Sequence, residues 1–105
     1  MTYGTTHNED SVVLTVQGEL DAMTVTELRE TLDGIVAEGH QRVIVDLTEL
    51  RMIDSSGVGA LVSLYNRLRA KGGKLFIRGI KDQPLAIFRL LKLDRILAPE
   101  GAVAA

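Results

Sequence analysis

The sequence predicts an α/β fold: a mixed, mostly parallel sheet of four to five strands with α-helices packed on it. Short β-branched apolar runs alternate with longer segments whose apolar residues recur at helical spacing, which is typical of parallel strands joined by helical crossovers. The chain has 105 residues, 46% of them hydrophobic and 25% charged. This length suits one globular core, so a single domain over residues 1–105 is expected.

The N-terminal part predicts a hairpin followed by a helix. Residues 11–16 form a β-branched run that ends at Gln17-Gly18, and residues 2–7 predict an edge strand joined to it through a turn at residues 8–10. Thr24 and Glu27 predict a capping box at the start of the helix. Gly39 predicts its end, and its apolar stripe is Val25, Leu28, Leu32, Ile35 and Val36.

The middle of the chain predicts a buried strand and a second helix. Residues 42–47 are a short continuous apolar run, and residues 48–53 are interpreted only as a connection. The second helix runs from residue 54 to about residue 70 and ends at Gly72-Gly73. Its predicted core stripe is Val58, Leu61, Val62, Tyr65 and Leu68.

The remaining residues predict a third core strand, a third helix and a short last strand. The strand covers residues 74–78, and the last strand covers residues 95–97. Pro84 suits the first turn of the third helix, whose buried side is predicted to be Leu85, Phe88 and Leu91.

Two loops with polar side chains are predicted at one edge of the sheet. Asp21 follows one core strand, and Asp54-Ser55-Ser56, where the second helix begins, follow the next. Because functional groups in open α/β sheets collect beyond the carboxyl ends of the strands, these residues are expected on the same rim.

The serine loop has two interpretations from its local sequence. In the first, Asp54 or Ser55 caps the helix and Gly57 eases the turn. In the second, the small residues Gly57 and Gly59 keep the serines uncovered, and free amides at the helix N-terminus hold a phosphate placed on Ser55. Exposed residues of the same helix, Gly59, Ser63 and Arg67, would then lie in the footprint of a partner.

Catalytic and cofactor sites are not predicted. A nucleophilic serine needs an adjacent base, and both His7 and His40 are expected away from Ser55; the G-x-S-x-G motif is also absent. No glycine-rich phosphate or dinucleotide motif is complete. Asp21 and Asp54 form a carboxylate pair without a third ligand, which makes a weak metal site, and Asp21 is equally suited to capping the first helix.

Composition excludes several further classes. The chain has no cysteine, so disulfide scaffolds and thiolate metal sites are excluded. The net charge is -2, and no nucleic-acid-binding motif is visible. Residues 1–66 are acidic and residues 67–105 are basic, which indicates either internal pairing or an oriented charged partner. No apolar run is long enough to span a bilayer, so a cytoplasmic protein without membrane contact is expected.

Two motifs together resemble a known family. Gly18-Glu19-Leu20-Asp21 with Thr24 is followed about thirty residues later by M-I-D-S-S-G-V-G at residues 52–59. In this alternating pattern the chain is similar to the anti-sigma-factor antagonists built on a STAS domain, with agreement from about residue 10 to residue 97. The tail at residues 98–105 is short, so the further C-terminal helix usual in the family is expected to be missing or short.

The resemblance implies a phosphorylation switch in a protein that is a substrate and not an enzyme. The unphosphorylated antagonist binds an anti-sigma factor, usually a serine kinase of the histidine-kinase-like ATPase fold, and so releases a sigma factor. Phosphorylation ends binding, and a PP2C-type phosphatase reverses it. The acceptor maps to Ser55, Ser56 shapes the loop, and Asp21 lies near the acceptor. A monomer without a cofactor is expected.

Two alternatives remain open from the sequence. The first is a STAS scaffold or small-ligand-binding module without regulated phosphorylation. The second is a metal-dependent acyl or phosphoryl enzyme that uses Asp21 and Asp54.

Overall fold

The strands form a mixed sheet in the computed structural model, which describes residues 1–95 and 97–99. Five strands follow the order β1-β2-β3-β5-β6, and β4 pairs with β2 beside this path. Only the β1–β2 pair is antiparallel among the pairs described. The strands are β1 (Thr2–His7), β2 (Ser11–Leu20), β3 (Arg42–Asp46), β4 (Leu50–Ile53), β5 (Lys74–Arg78) and β6 (Ala98–Pro99). The mixed, mostly parallel α/β fold is therefore confirmed.

Three helices accompany the sheet: α1 (Val25–Ala37), α2 (Ser55–Ala70) and α3 (Asp82–Leu90). The predicted stripe of α1 is buried at all five positions. On α2 the predicted stripe was wrong in part, because Leu64 is fully buried while Val62 and Tyr65 are only half-buried. On α3 Phe88 is buried as predicted, but Leu91 is 51% exposed and does not belong to the core.

The N-terminal hairpin is confirmed, but the predicted capping box is not. Thr24 occupies the N-cap position of α1 without a side-chain capping bond. Its hydroxyl instead donates to the Glu19 carbonyl at 2.9 Å and accepts from the Asp21 amide at 2.9 Å. The threonine side chain therefore bonds with the preceding loop and not with the first turn of the helix.

Strand β2 is longer than predicted. Gln17-Gly18 does not end it: the register shifts between Gly18 and Glu19, Gly18 has a φ of +91°, and β2 continues to Leu20. A shift of this kind is a β-bulge, at which glycine adopts a conformation that other residues reach with difficulty. The pairing of β2 with β3 extends to Thr15, and from Gly18 onward β2 pairs with β4, a strand that the sequence predicts only as a connection.

The end of the chain differs from the prediction. The strand predicted at residues 95–97 is not observed at Arg95 and Leu97, since Leu93–Arg95 form a 3-10 turn, and residue 96 lies outside the described residues. The short strand comes later, at Ala98–Pro99 parallel to β5. Residues 100–105, on which the expectation about a further C-terminal helix falls, lie outside the described residues. None of the helices described is long and apolar enough to cross a membrane.

Candidate functional site

The pairing of β2 with β4 brings the two predicted loops together. Leu20 and Ile53 are partners in this parallel register, so the residues that follow them, Asp21 and Asp54, leave the sheet side by side. The amide of Asp54 donates to the Leu20 carbonyl at 3.2 Å. The amide of Ala22 donates to Asp54 Oδ2 at 3.3 Å. The predicted meeting of these loops on one rim is observed, and we call it the carboxyl-end rim.

Asp54 caps α2 with its side chain. Asp54 Oδ1 accepts hydrogen bonds from the amides of Ser56 at 2.9 Å and Gly57 at 3.1 Å. This arrangement matches the local interpretation of Asp54 as an N-cap. It also corrects the expectation that these amides are free to hold a phosphate on Ser55, because a carboxylate already accepts from two of them.

Asp21 organises the turn that leads into α1. Its Oδ1 accepts from the amides of Met23 and Thr24, both at 3.0 Å, and lies 3.1 Å from the Thr24 hydroxyl oxygen. These hydrogen bonds, led by the Thr24 amide, lower the pKa of Asp21 below its ordinary value because they favour the ionised carboxylate. The carboxylates of Asp21 and Asp54 thus accept hydrogen bonds from backbone amides. Because these oxygens are already used, the pair is a poor site for a metal ion.

Ser55 is exposed at the first position of α2. It lines a small recess between α2 and α3 with a volume of about 170 Å³. The side chains around this recess are mostly apolar, and two of them, Leu90 and Leu91, are 76% and 51% exposed. The serine hydroxyl is therefore open to solvent beside apolar surface that nothing within the described chain covers.

The other predicted partner residues lie on a second surface. A groove of about 510 Å³ separates α1 from α2, and its α2 side includes Ser56, Gly59, Ser63 and Arg67. Arg67 donates to Asp33 of α1 at 2.8 Å, which joins the acidic and basic parts of the sequence across the groove. The structure therefore separates Ser55 from Ser56, which faces the groove while Ser55 faces the recess.

The two glycines at the start of α2 have different surroundings. A Cβ added at Gly57 would lie 2.6 Å from the Leu20 carbonyl oxygen and 2.7 Å from the Ile53 side chain. Gly57 is buried, and its lack of a side chain allows α2 to approach β2 closely. A Cβ at Gly59 would meet no atom within 4 Å. Of these two positions, packing requires glycine at 57 and not at 59. No neighbouring atom excludes a side chain at position 59, where the glycine leaves the groove uncovered.

Three residues at this rim were not identified from the sequence. The Gln83 side chain accepts from the Ile53 amide at 2.9 Å and donates to the Ile53 carbonyl at 3.0 Å, so it completes the outer edge of β4. Met23 is 82% exposed in the turn after Asp21, and Met52 is 48% exposed on β4. The bidentate contact of Gln83 has no signal in the local sequence, whereas the M-I-D-S-S run places Met52 beside the serines.

The chain is similar to known proteins over most of its length. A family model described as "STAS domain" matches residues 3–104. An anti-sigma-B factor antagonist from Listeria monocytogenes is 30% identical over 88 residues, which cover 84% of this chain and 77% of the relative.

Two solved structures show the same fold. An anti-sigma factor antagonist from Mycobacterium paratuberculosis has a TM-score of 0.85 at 20% identity, over 97% of this chain and 86% of that one. The Bacillus cell fate determinant SpoIIAA, in its phosphorylated form, has a TM-score of 0.75 at 22% identity, over 93% and 90% of the two chains.

Proposed function

Because the chain belongs to the STAS domain family, we propose that it is an anti-sigma-factor antagonist, the function for which its Listeria relative is named. In this proposal the unphosphorylated protein binds an anti-sigma factor and thereby releases a sigma factor. Phosphorylation of Ser55 ends the binding. The protein is a regulator, and the catalytic groups belong to its partners.

The main support is the placement of Ser55. Its hydroxyl is exposed at the start of α2, next to the contact between Ala22 and Asp54 that joins the two rim loops. A kinase can reach a side chain at this position without unfolding a helix or a strand. A solved structure of a phosphorylated protein with this fold, the Bacillus SpoIIAA, is consistent with such a modification.

The charges around Ser55 explain how a phosphate would act. A phosphoserine adds a charge of about -1.5 to -2 at neutral pH. The Asp54 carboxylate is adjacent, and it already accepts from the amides of Ser56 and Gly57. Because those donors are occupied, the added charge would not be neutralised within this loop. A partner surface that fits a neutral hydroxyl would then bury an uncompensated anion, which is costly.

The surface around Ser55 has the composition of an interface. Met23, Met52, Leu90 and Leu91 are exposed near the two loops and the recess. Methionine and other large apolar side chains are common where proteins bind partners, because burying them is favourable. We propose that the partner covers the recess beside Ser55 and extends over the groove that holds Ser56, Gly59, Ser63 and Arg67.

The remaining features of the proposal concern the partners and the setting. The kinase, an anti-sigma factor with a histidine-kinase-like ATPase fold, supplies the magnesium ions and the base for phosphoryl transfer. A PP2C-type phosphatase removes the phosphate. We propose that residues 1–105 act as one STAS domain, as a monomer, in the cytoplasm.

The test compares variants at Ser55 with a matched variant at Ser63, another exposed serine of α2. The partner is captured with the unphosphorylated protein from native cytosol, identified and purified. Binding is then measured by calorimetry, and phosphate incorporation with ATP is measured by intact mass. We expect Ser55→Ala to bind as the parent chain does and to take up no phosphate, whereas Ser63→Ala takes up one.

Substitution by aspartate tests the role of charge. We expect Ser55→Asp to weaken binding by about tenfold or more, because a buried, unpaired charge costs several kcal/mol. Loss of all binding in Ser55→Ala would contradict the switch. If the parent chain binds the partner but never takes up phosphate, the scaffold alternative is favoured.

A further inference from the structure

A cluster of metal-binding side chains lies at the opposite end of the sheet from Ser55. It consists of His7 at the end of β1, Glu38 at the C-cap of α1, and His40 before β3. Glu38 and His40 are two residues apart, whereas β2 and the whole of α1 separate them from His7 in the sequence. The fold brings them to the amino-end rim, which we define by these three side chains.

The distances within the cluster suit a shared ion. Glu38 Oε2 lies 3.4 Å from His7 Nε2 and 3.1 Å from His40 Nε2. One ligand atom from each of the three residues lies within 4.8 Å of the others. A tetrahedral zinc ion with bonds of about 2.0–2.2 Å holds its ligand atoms roughly 3.3 Å apart. The two measured pairs are close to this separation.

The backbone at each position is held in place by other contacts. His7 pairs with Val12 in the antiparallel register of β1 and β2. The chain after His40 is tied to β5, because the Lys74 amide donates to the Gln41 carbonyl at 2.9 Å. The exposed fractions of the side chains are 50% for His7, 53% for Glu38 and 19% for His40. An ion can therefore reach the cluster from solvent while the ligand-bearing backbone stays fixed.

The end of α1 favours a positive charge. The carbonyl groups at a helix C-terminus give this region a partial negative charge. One cationic group already uses it, since Lys71 Nζ donates to the Val36 carbonyl at 3.2 Å. Lys71 is the basic group that α2 brings to this turn, and its ammonium is occupied there. A divalent ion at Glu38 would benefit from the same potential.

We propose that His7, Glu38 and His40 bind one zinc ion, with a water molecule in the fourth position. Two imidazoles and one carboxylate are a ligand set typical of zinc, whereas calcium and magnesium prefer oxygen ligands alone. The ion would join β1, whose six residues are all exposed, to the turn between α1 and β3. This site is independent of phosphorylation at Ser55.

Calorimetry with zinc chloride tests the proposal on the full chain after removal of bound metals by a chelator. We expect saturable binding of one ion per chain. His7→Ala and His40→Ala should each raise the Kd by at least about tenfold, since even indirect ligand partners contribute that much. Glu30→Gln removes an exposed acid of α1 outside the cluster and should leave the Kd unchanged.

Spectroscopy and melting of the same samples add independent readouts. Less than one equivalent of zinc should shift the imidazole ¹H–¹⁵N signals of both histidines, and zinc should raise the Tm of the parent chain but not of His7→Ala. A Kd weaker than about 1 mM, or equal affinities of His7→Ala and the parent chain, would overturn the proposal. Metal-free melting curves show whether each variant folds, and His7→Ala decides the matter if His40→Ala does not.

Discussion

Carboxylates at the two ends of the sheet have contrasting partners. At the carboxyl-end rim, Asp21 and Asp54 accept hydrogen bonds from the amides of the helices and turns that they begin. At the amino-end rim, Glu38 faces the ring nitrogens of His7 and His40. A carboxylate surrounded by amides stabilises a loop, whereas one that faces imidazoles is available to a cation. The sequence motif indicates a phosphorylation site at the carboxyl-end rim, whereas the distances between ligand atoms favour a metal site at the amino-end rim.

Substitution of Gly57 should have the largest effect and should damage the carboxyl-end rim alone. An added methyl group meets the Leu20 carbonyl and Ile53. We expect Gly57→Ala to lower the free energy of unfolding by about 2 kcal/mol, because overpacking against backbone forces α2 away from β2. Urea denaturation measures the effect.

Gly59→Ala is the matched control for this substitution. The added methyl group meets open space, and alanine favours helix over glycine by up to about 1 kcal/mol. We therefore expect Gly59→Ala to be neutral or stabilising in the same urea experiment. Equal losses in the two variants would show that the close approach at Gly57 does not matter.

Removal of one carboxylate from each rim should have effects of intermediate size on stability and tests the contrast between the two rims. Asp54→Ala should cost about 1–2 kcal/mol, because the side chain caps α2 and contacts the Ala22 amide. In metal-free buffer Glu38→Ala should not change stability measurably, since its side chain is exposed and meets only exposed or half-buried histidines.

In zinc affinity, unlike metal-free stability, Glu38→Ala should be the variant with the larger loss. We expect Asp54→Ala to bind zinc as the parent chain does, and Glu38→Ala to bind it much more weakly. Thermal melting with and without zinc measures both properties. A larger metal-free loss in Glu38→Ala than in Asp54→Ala would contradict the assignment of roles.

The smallest expected effect is the pH dependence of stability due to Asp21. Its pKa is lowered in the folded chain from an ordinary value of 3.8. The contribution of its hydrogen bonds is therefore present above pH 3.8 and is lost as the pH falls through the lower, folded pKa. Asp21→Asn should flatten the decline of stability in this acidic range, as followed by urea denaturation. An unchanged slope would show that the Thr24 and Met23 amides do not favour the ionised form.

Much of the fold could be predicted because its signals are local. The stripe of α1, the strand at residues 74–78 and the edge hairpin follow from apolar spacing and turn residues over short stretches. The errors fall where a distant partner decides. Thr24 bonds with Glu19 and Asp21 instead of capping α1, and β4 forms because the end of β2 is available to pair with it.

The candidate site shows the same division. The motif around Ser55 predicted an exposed serine at a helix start, and the structure has it there. The motif did not separate the surroundings of Ser55 and Ser56, because adjacent residues of a helix face different neighbours and those neighbours belong to α3 and α1. The bidentate contact of Gln83 with Ile53 joins residues thirty positions apart, beyond any local pattern.

The sequence alone determined the alternating elements, the serine motif and the cap at the start of α2, since periodicity and turn chemistry act between residues close along the chain. Tertiary structure decided which side chains meet. The C-terminal part of β2 pairs with β4 on both sides of the bulge at Gly18, and this register sets Asp21 beside Asp54. The hairpin returns His7 to the end of α1, where Glu38 and His40 lie. Contacts of this kind depend on strand register and helix packing, which follow from burial of the whole core and are not encoded at any single position.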